Sequence, residues 1–222
     1  MKEYIKNKTK NTTKHFRFGN INVEEVDPLP DSINIDSIFK AVETNLPSHY
    51  FKDMKSVKIG DFDVFEDRDI NALYKDQTLF ITNKQDGPED LLDDIVHEIA
   101  HHVETIMPQE VYGSESVINE FLRKRYELKF ELQSEGYWVN EHDFDNLKYD
   151  NNFDTFLYKR VGKNLMRMIT TGLFIRPYAA ISLREYFATG FEAYYLGKQD
   201  ILEKISPMLY DKINELHNYS SY

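Results

Sequence analysis

The chain has 222 residues, of which 41% are hydrophobic, and this is enough apolar material for one ordinary globular core. Its formal net charge of −11 disfavours a nucleic acid as the partner, because an acidic surface repels phosphate backbones. The sequence contains no cysteine, which excludes disulfides, thiolate zinc sites and cysteine nucleophiles. Any bound metal ion must therefore be held by histidines and carboxylates.

The beginning of the chain is polar and basic. Six of its first 17 residues are Lys or Arg and one is acidic, so residues 1–18 are expected to form a basic, flexible arm. This stretch lacks the apolar centre of a secretory signal, and no apolar run approaches the roughly 18 residues of a membrane span. The sequence predicts a protein without a membrane span that is cytoplasmic, or that is secreted or joins a particle by another route.

Hydrophobic periodicity predicts a helix and then a small sheet in the first half of the chain. Residues 33–45 repeat apolar side chains at helical spacing, which predicts an amphipathic helix that ends before Pro47. Residues 56–59, 62–65 and 78–82 have the residue types of short strands, which predicts a small mixed sheet. Residues 78–82 are interpreted as an edge that pairs with an extended peptide, with an ordinary strand as the alternative.

The pattern becomes helical from Pro88 onward. Apolar residues repeat at intervals of three and four as far as Ile106, and Pro108 ends the run. Further helices are predicted over residues 115–135, 153–171 and 182–196. The expected fold class is therefore α+β, with a small mixed sheet, a helical C-terminal half and one domain over residues 19–222.

Two features of the second half are given structural interpretations. Arg123, Lys124 and Arg125 lie in a predicted helix that also contains Glu120, Glu127 and Glu131, which is typical of an exposed face of mixed charge. Trp138 lies in an acidic, aromatic stretch and is expected to pack against the core, with a lid or substrate anchor as the alternative.

The chemistry of the chain centres on residues 97–101, which read His-Glu-Ile-Ala-His within the helix that begins at Pro88. Side chains four residues apart are offset by about 40° on a helix, so His97 and His101 can both reach one ion at about 2.0–2.1 Å. Glu98 projects about 100° from His97, where it can act as a base on a metal-bound water. The spacing predicts a zinc site, with a surface or capping role for the histidines as the alternative. His102 points about 100° round the helix from His101 and is expected to have a structural or surface role.

A hydrolytic zinc site needs a third protein ligand and an open position for water. Glu104 and Met107 occupy the positions where a metzincin would have Gly and His. A carboxylate from a later helix is the natural alternative, and the candidates are Glu185 and Glu192. Ser182 and Glu185 also have the spacing of a capping box, in which Glu185 would bond to backbone instead of metal. Spacing alone leaves both interpretations of Glu185 open.

Further residues extend this pattern. Residues 97–101 are followed by Tyr178, then by Glu185-Tyr186-Phe187-Ala188 and Phe191. The combination resembles the catalytic domain of anthrax lethal factor and the Pro-Pro endopeptidases. In that family a tyrosine lies seven residues before the glutamate ligand, which begins a Glu-(Phe/Tyr)-Phe-Ala segment with a phenylalanine three residues after it.

The resemblance implies a zincin-like fold and a set of functional residues. It implies one zinc ion held by His97, His101 and Glu185, with Glu98 as the general base and Tyr178 as the residue that stabilises the transition state. The interval between His101 and Glu185 is longer than is usual in the family, which predicts an insertion within residues 111–154. Thr189 stands where the relatives generally have a second glutamate, so the groups around the ligand are expected to differ.

The function implied by the resemblance is that of a zinc metalloendopeptidase, which cuts a protein or peptide bound in extended form. The expected reaction uses a zinc-activated water, proton transfer by Glu98 and a hydrogen bond from Tyr178 to the developing oxyanion. Two alternatives stay open. One is a catalytically silent zincin-like binding or structural module, for example a phage particle component, and the other is a zinc hydrolase that acts on a small molecule.

Overall fold

A computed structural model describes residues 14–68 and 70–219 of the chain, without the side chains of residues 66–68. The described residues form an α+β protein with a small mixed sheet. They fall into two compact units, one that ends at Ile106 and one that begins at Met107, where the sequence predicted one domain. The first unit contains the sheet and the second contains only helices and loops in its described part.

The first unit holds a five-stranded sheet. Its strands are β1 (Lys14–Phe18), β2 (Ile21–Glu25), β3 (Ser56–Ile59), β4 (Ala72–Lys75) and β5 (Thr78–Ile81). Their order in space is β1-β2-β3-β5-β4, in which β2, β3 and β5 are parallel and the two outer strands are antiparallel to their neighbours. Val23, Val57 and Leu79 lie side by side in this register and are all buried, so one face of the sheet forms the core of the unit.

The first strand corrects the prediction of a basic arm over residues 1–18. Lys14–Phe18 pairs along its whole length with β2, and the ring of Phe18 packs against Phe39 and Phe51. Burial of this ring fixes the end of the predicted arm in the core. Residues 1–13 of the predicted arm lie outside the described residues.

Two predicted strands also differ from the structure. Residues 62–65 are not a strand, because α2 (Asp63–Arg68) begins there and the rings of Phe62 and Phe65 contact each other across a helical interval of three. The strand predicted over residues 78–82 exists as β5, but it lies between β3 and β4. The prediction that it forms a sheet edge is therefore wrong, and β4 is the outer strand on that side.

Two helices of the first unit match their predictions closely. Helix α1 spans Ile35–Asn45, and the side chain of its N-cap Asn34 accepts a hydrogen bond of 3.1 Å from the backbone N–H of Ser37. Helix α3 spans Pro88–Ile106 and packs against β4 and β5. The buried stripe of α3 contains Leu91, Ile95, Ile99 and Val103. The apolar periodicity of the sequence predicts this stripe from Ile95 onward, but it starts at Leu92, which is only partly buried.

The second unit is helical. Its α-helices are α4 (Pro108–Tyr112), α5 (Ser116–Ser134), α6 (Glu141–Asp145), α7 (Asn151–Thr155), α8 (Lys163–Ile169), α9 (Leu183–Tyr195), α10 (Gln199–Ile205) and α11 (Pro207–His217). A π-helical segment, Phe156–Gly162, joins α7 to α8, and a 3₁₀ turn, Pro177–Ala180, precedes α9. The helices predicted over residues 115–135 and 182–196 are confirmed, whereas the one predicted over 153–171 is interrupted by the π-helical segment.

Charged side chains on α5 are buried, which corrects the prediction of an exposed mixed face. Lys124 is 1% exposed and donates hydrogen bonds of 2.6 Å to the backbone oxygens of Leu173 and Ile205. Burial lowers the pKa of Lys124 to about 8. Arg123 alone of the three basic residues is exposed, where it pairs with Glu127 at 2.6 Å.

Glu120 is also buried on α5, one turn before Lys124. Its carboxylate accepts hydrogen bonds from the hydroxyl of Tyr186 at 2.6 Å and from the backbone N–H groups of Met208 and Leu209 at 2.9 and 3.2 Å. The two amides lie in the first turn of α11, where a helix has unsatisfied donors. These three hydrogen bonds offset the cost of burying the carboxylate of Glu120. They also hold α11 and α9 against α5.

Two other predictions concern the position of Trp138 and the absence of a membrane span. Trp138 is 82% exposed, so the expectation that it packs against the core is wrong. Within the described ranges, none of the helices combines the length and the apolar character needed to cross a bilayer.

Gly190 on α9 lies where another helix approaches closely. A Cβ atom at this position would lie 2.9 Å from Cγ of Leu209, a fully buried side chain on α11, and closer still to one of its methyl groups. We expect Gly190→Ala to lower the free energy of unfolding by about 1–3 kcal/mol through overpacking. Urea unfolding monitored by circular dichroism would measure this change.

The sign of the effect separates crowding from helix propensity. Replacing glycine by alanine in an uncrowded helix raises stability by about 1 kcal/mol, so a stabilised Gly190→Ala variant would contradict the close packing of α9 and α11. Glu203→Ala, an exposed change on α10, is the control and is expected to stay within about 0.5 kcal/mol of the wild type.

Candidate metal centre

The structure brings together three side chains of α3 that have metal-ligand atoms. The ligand atoms of His97, Glu98 and His101 all lie within 4.8 Å of one another, so these groups could hold a metal ion. The two imidazole rings are 4.9 Å apart and nearly perpendicular. The four-residue interval of the sequence therefore places both rings on one face of the helix, as the periodicity predicts.

The three side chains differ in their access to solvent. Glu98 and His101 are each 5% exposed, whereas His97 is partly buried. A carboxylate in such a position is costly to keep charged unless an opposite charge or hydrogen-bond donors stabilise it. A cation held by the neighbouring imidazoles would supply such stabilisation, so the donor set and its burial fit a metal ion.

A carboxylate behind His101 gives the most specific support for this fit. Nδ1 of His101 lies 3.0 Å from Oε2 of Glu104, whose side chain is also largely buried. When Nδ1 donates its proton to Glu104, Nε2 of His101 is left unprotonated with its lone pair available. Metal-binding histidines usually have this arrangement, in which the carboxylate orients the ring and raises its basicity.

His97 also has an acidic neighbour one turn away on α3. Burial raises the pKa of Asp94, while a hydrogen bond of 3.0 Å from Gln85 and the charge of His97 act in the opposite direction. The electrostatic interaction places Asp94 near His97. Each of the two histidines therefore has a carboxylate close to it on the same helix.

His102 has a structural role, as predicted. Its Nε2 donates a hydrogen bond of 2.8 Å to the backbone oxygen of Lys52, so its Nδ1 accepts the bond of 2.9 Å from the hydroxyl of Tyr74. Burial lowers the pKa of His102, which favours this neutral form. The two hydrogen bonds tie α3 to β4 and to the chain that follows the 3₁₀ turn Ser48–Phe51.

The other predicted site residues, Tyr178 and Glu185, lie in the second unit. Tyr178 is on the 3₁₀ turn Pro177–Ala180 and is 40% exposed. Local burial of its hydroxyl raises the pKa of Tyr178, and the negative charge of Glu185 raises it further, which shows that the two groups are neighbours. The hydroxyl of Ser182 accepts a hydrogen bond of 3.2 Å from the backbone N–H of Glu185, so Ser182 is the N-cap of α9.

Glu192, the other carboxylate that the sequence offered as a ligand, forms an ion pair with Arg176. Glu192 is buried and Arg176 is exposed, so the guanidinium of Arg176 compensates the negative charge of the buried Glu192 carboxylate. This pairing gives Glu192 a structural partner within the second unit. It weakens the case for Glu192 as a metal ligand.

Sequence reasoning missed the groups that surround Tyr178. The ring of Tyr158, on the π-helical segment, lies 6.4 Å from the ring of Tyr178. The hydroxyl of Tyr149 donates a hydrogen bond of 3.0 Å to Asp154, whose charge also raises the pKa of Tyr178. No motif marks these residues, and the only signal is the four-residue interval between Asp154 and Tyr158, which places both on one helical face.

Comparison with known proteins adds no relative to these observations. No family model, no curated protein and no solved structure matches the chain. The geometry of the described side chains and the pattern of the sequence therefore carry the functional argument.

The contact between His101 and Glu104 predicts an effect on metal affinity. Glu104→Gln removes the negative charge behind the imidazole, and we expect the affinity for Zn²⁺ to fall about 10- to 100-fold. Competition with a chromogenic chelator would measure it. The control is Glu89→Gln, an exposed change in the first turn of the same helix that should leave the affinity unchanged. Equal affinities of the Glu104→Gln variant and the wild type would exclude a supporting role for Glu104.

Proposed function

We propose that the protein is a zinc-dependent metalloendopeptidase with a zincin-like fold. The observation that carries this proposal is the convergence of His97, Glu98 and His101 on α3, with Glu104 behind His101. Two imidazoles four residues apart that bind the metal, with the glutamate after the first as general base, are typical of metallopeptidases that carry this motif. The resemblance of residues 178–191 to the lethal factor family gives the proposal its second support.

The proposed ligands are His97 and His101 from α3 and Glu185 from α9. Glu185 stays a prediction of the sequence, supported by the seven-residue interval from Tyr178 and by the ion pair that Glu192 makes with Arg176. The cap of α9 is compatible with this role, because the bond at Ser182 uses the backbone N–H of Glu185 and not its carboxylate.

A bound zinc ion would supply a water of lowered pKa and polarise the scissile carbonyl. The carboxylate of Glu98 would take a proton from the attacking water and deliver it to the nitrogen of the leaving amine. The hydroxyl of Tyr178 donates a hydrogen bond to the carbonyl oxygen as negative charge develops there. The raised pKa of Tyr178 keeps its proton in place for this task at neutral pH.

The substrate is proposed to bind in extended form along β4. This strand is an outer strand of the sheet in the described chain, it packs against α3, and Tyr74 on it is bonded to His102 one residue beyond His101. An extended peptide that adds to a sheet edge gains backbone hydrogen bonds that do not depend on its sequence. Such binding suits an enzyme that cuts within a chain. In this proposal β4 is the peptide-binding edge that was predicted from the sequence for residues 78–82.

Glu98→Gln tests whether the centre performs hydrolysis. We expect cleavage of a random-peptide pool, read by mass spectrometry, to fall by about 100-fold or more, because general base catalysis contributes about 10²–10⁴ in rate. Zinc content should be retained, since the imidazoles remain. A wild type that binds zinc but cleaves nothing across the pool would favour the catalytically silent module. Cleavage by the Glu98→Gln variant at the wild-type rate would exclude Glu98 as the base.

Glu185→Gln tests the third ligand. The change removes the charge and leaves the backbone cap at Ser182 intact, so we expect zinc affinity to fall markedly while the melting temperature of the metal-free protein stays close to that of the wild type. Competition with a chelator gives the affinity. Glu203→Gln, an exposed change on α10, is the control. If the Glu185→Gln variant holds zinc as tightly as the wild type, another acid is the ligand.

A further inference from the structure

Arg125 is the most deeply buried arginine of the described chain and has no place in the proposed reaction. It lies on α5, where it is 1% exposed. Burial lowers the pKa of Arg125 to about 10, against the opposing effect of Asp143 and Asp145, so the guanidinium remains positively charged at neutral pH. A buried charge is costly unless hydrogen bonds compensate it. Nε of Arg125 makes no hydrogen bond within the described residues, so the partners of Nη1 and Nη2 indicate what the guanidinium holds in place.

The hydrogen-bond partners of Arg125 are backbone oxygens. Nη1 donates a bond of 2.8 Å to the oxygen of Ala180, and Nη2 donates to the oxygen of Asp143. A hydrogen bond to a backbone oxygen depends on where the chain runs and not on which side chain the residue has. The guanidinium therefore fixes two segments of the second unit relative to α5, namely α6 and the 3₁₀ turn Pro177–Ala180.

Three aromatic rings surround the same guanidinium. Its Cζ lies 4.3 Å from the ring centre of Phe153, 5.2 Å from that of Phe121 and 5.7 Å from that of Phe144. Phe153 is on α7, directly before Asp154, and α7 leads into the π-helical segment that carries Tyr158. The cation–π contact of the guanidinium with Phe153 thus links α7 to the turn that carries Tyr178.

We propose that Arg125 is a positioning residue that holds the turn carrying Tyr178 in place. Ala180, the acceptor for Nη1, is the last residue of that turn and lies two residues after Tyr178. Tyr178 is 40% exposed, and its ring contacts that of Tyr158, which lies on the π-helical segment that directly follows the helix of Phe153. Both sides of the Tyr158–Tyr178 contact are therefore anchored on one guanidinium. The part of this inference that concerns catalysis rests on the proposed function.

Arg125→Lys tests the inference, because a lysine keeps the charge but cannot bond two carbonyls in a fork or stack flat on a ring. We expect faster hydrogen–deuterium exchange over residues 176–182, measured by mass spectrometry. We also expect kcat for a cleaved peptide to fall at least about tenfold with KM and zinc affinity unchanged, since displacements of about 1 Å can cost about 100-fold in rate. In a Tyr178→Phe background the same change should cause no further loss of kcat.

The matched control is Arg123→Lys, two residues away on the same helix, where the side chain is exposed and pairs with Glu127. It should leave both exchange and kcat unchanged. If Arg125→Lys fails to fold, Phe153→Leu removes the nearest ring and keeps both hydrogen bonds, and it should raise exchange over residues 176–182 to a smaller extent.

The outcomes separate this inference from the proposed function. Unchanged exchange over residues 176–182 in a folded Arg125→Lys variant overturns the inference. Faster exchange with unchanged kcat overturns the part of the inference that concerns the reaction. The same part is overturned if Arg125→Lys lowers kcat as much in the Tyr178→Phe background as it does in the wild type. A wild type that cleaves no peptide overturns the proposed function, while the exchange measurement still decides whether Arg125 holds the turn.

Discussion

The proposed chemistry depends on the packing of α3 against the sheet. The buried stripe of Leu91, Ile95, Ile99 and Val103 fixes the rotation of the helix about its axis, and this rotation places His97 and His101 together on another face. A helix with a weaker stripe could turn and separate the imidazoles from their surroundings. Hydrophobic burial thus sets the direction in which the polar groups point, and the contact between His101 and Glu104 then sets the orientation of one ring.

The sequence predicts well what depends on local periodicity. The bounds of α1 and α3 and the shared face of His97 and His101 follow from the spacing of apolar and polar residues, because neighbours on a helix are set by chain geometry. The hairpin of β1 and β2 was missed, although Gly19-Asn20 between two short alternating segments is a recognised hairpin signal. Basic residues around that signal favoured the prediction of an arm, and the burial of Phe18 outweighs them.

The charged residues of α5 show why other predictions failed. A helix that contains both acids and bases is usually interpreted as having a solvated face, since most such faces are exposed. Whether a charge is buried depends on which backbone groups the rest of the fold brings to it, and the acceptors of Lys124 are almost 50 and 81 residues away in sequence. The same limit applies to Asp154 and Tyr158, whose proximity to Tyr178 comes from the π-helical segment and not from any motif.

The two hydrogen bonds of His102 have a thermodynamic consequence for the first unit. They hold α3 against β4 and Lys52 at the residue next to His101, so the packing of the sheet stabilises the helix that carries the two imidazoles. A cation that these imidazoles capture in the native chain, and bind less well in the denatured one, adds its binding free energy to the stability of the whole unit. If the proposed cation binds there, folding and metal occupancy of this unit would be linked equilibria, and a chelator would act on both.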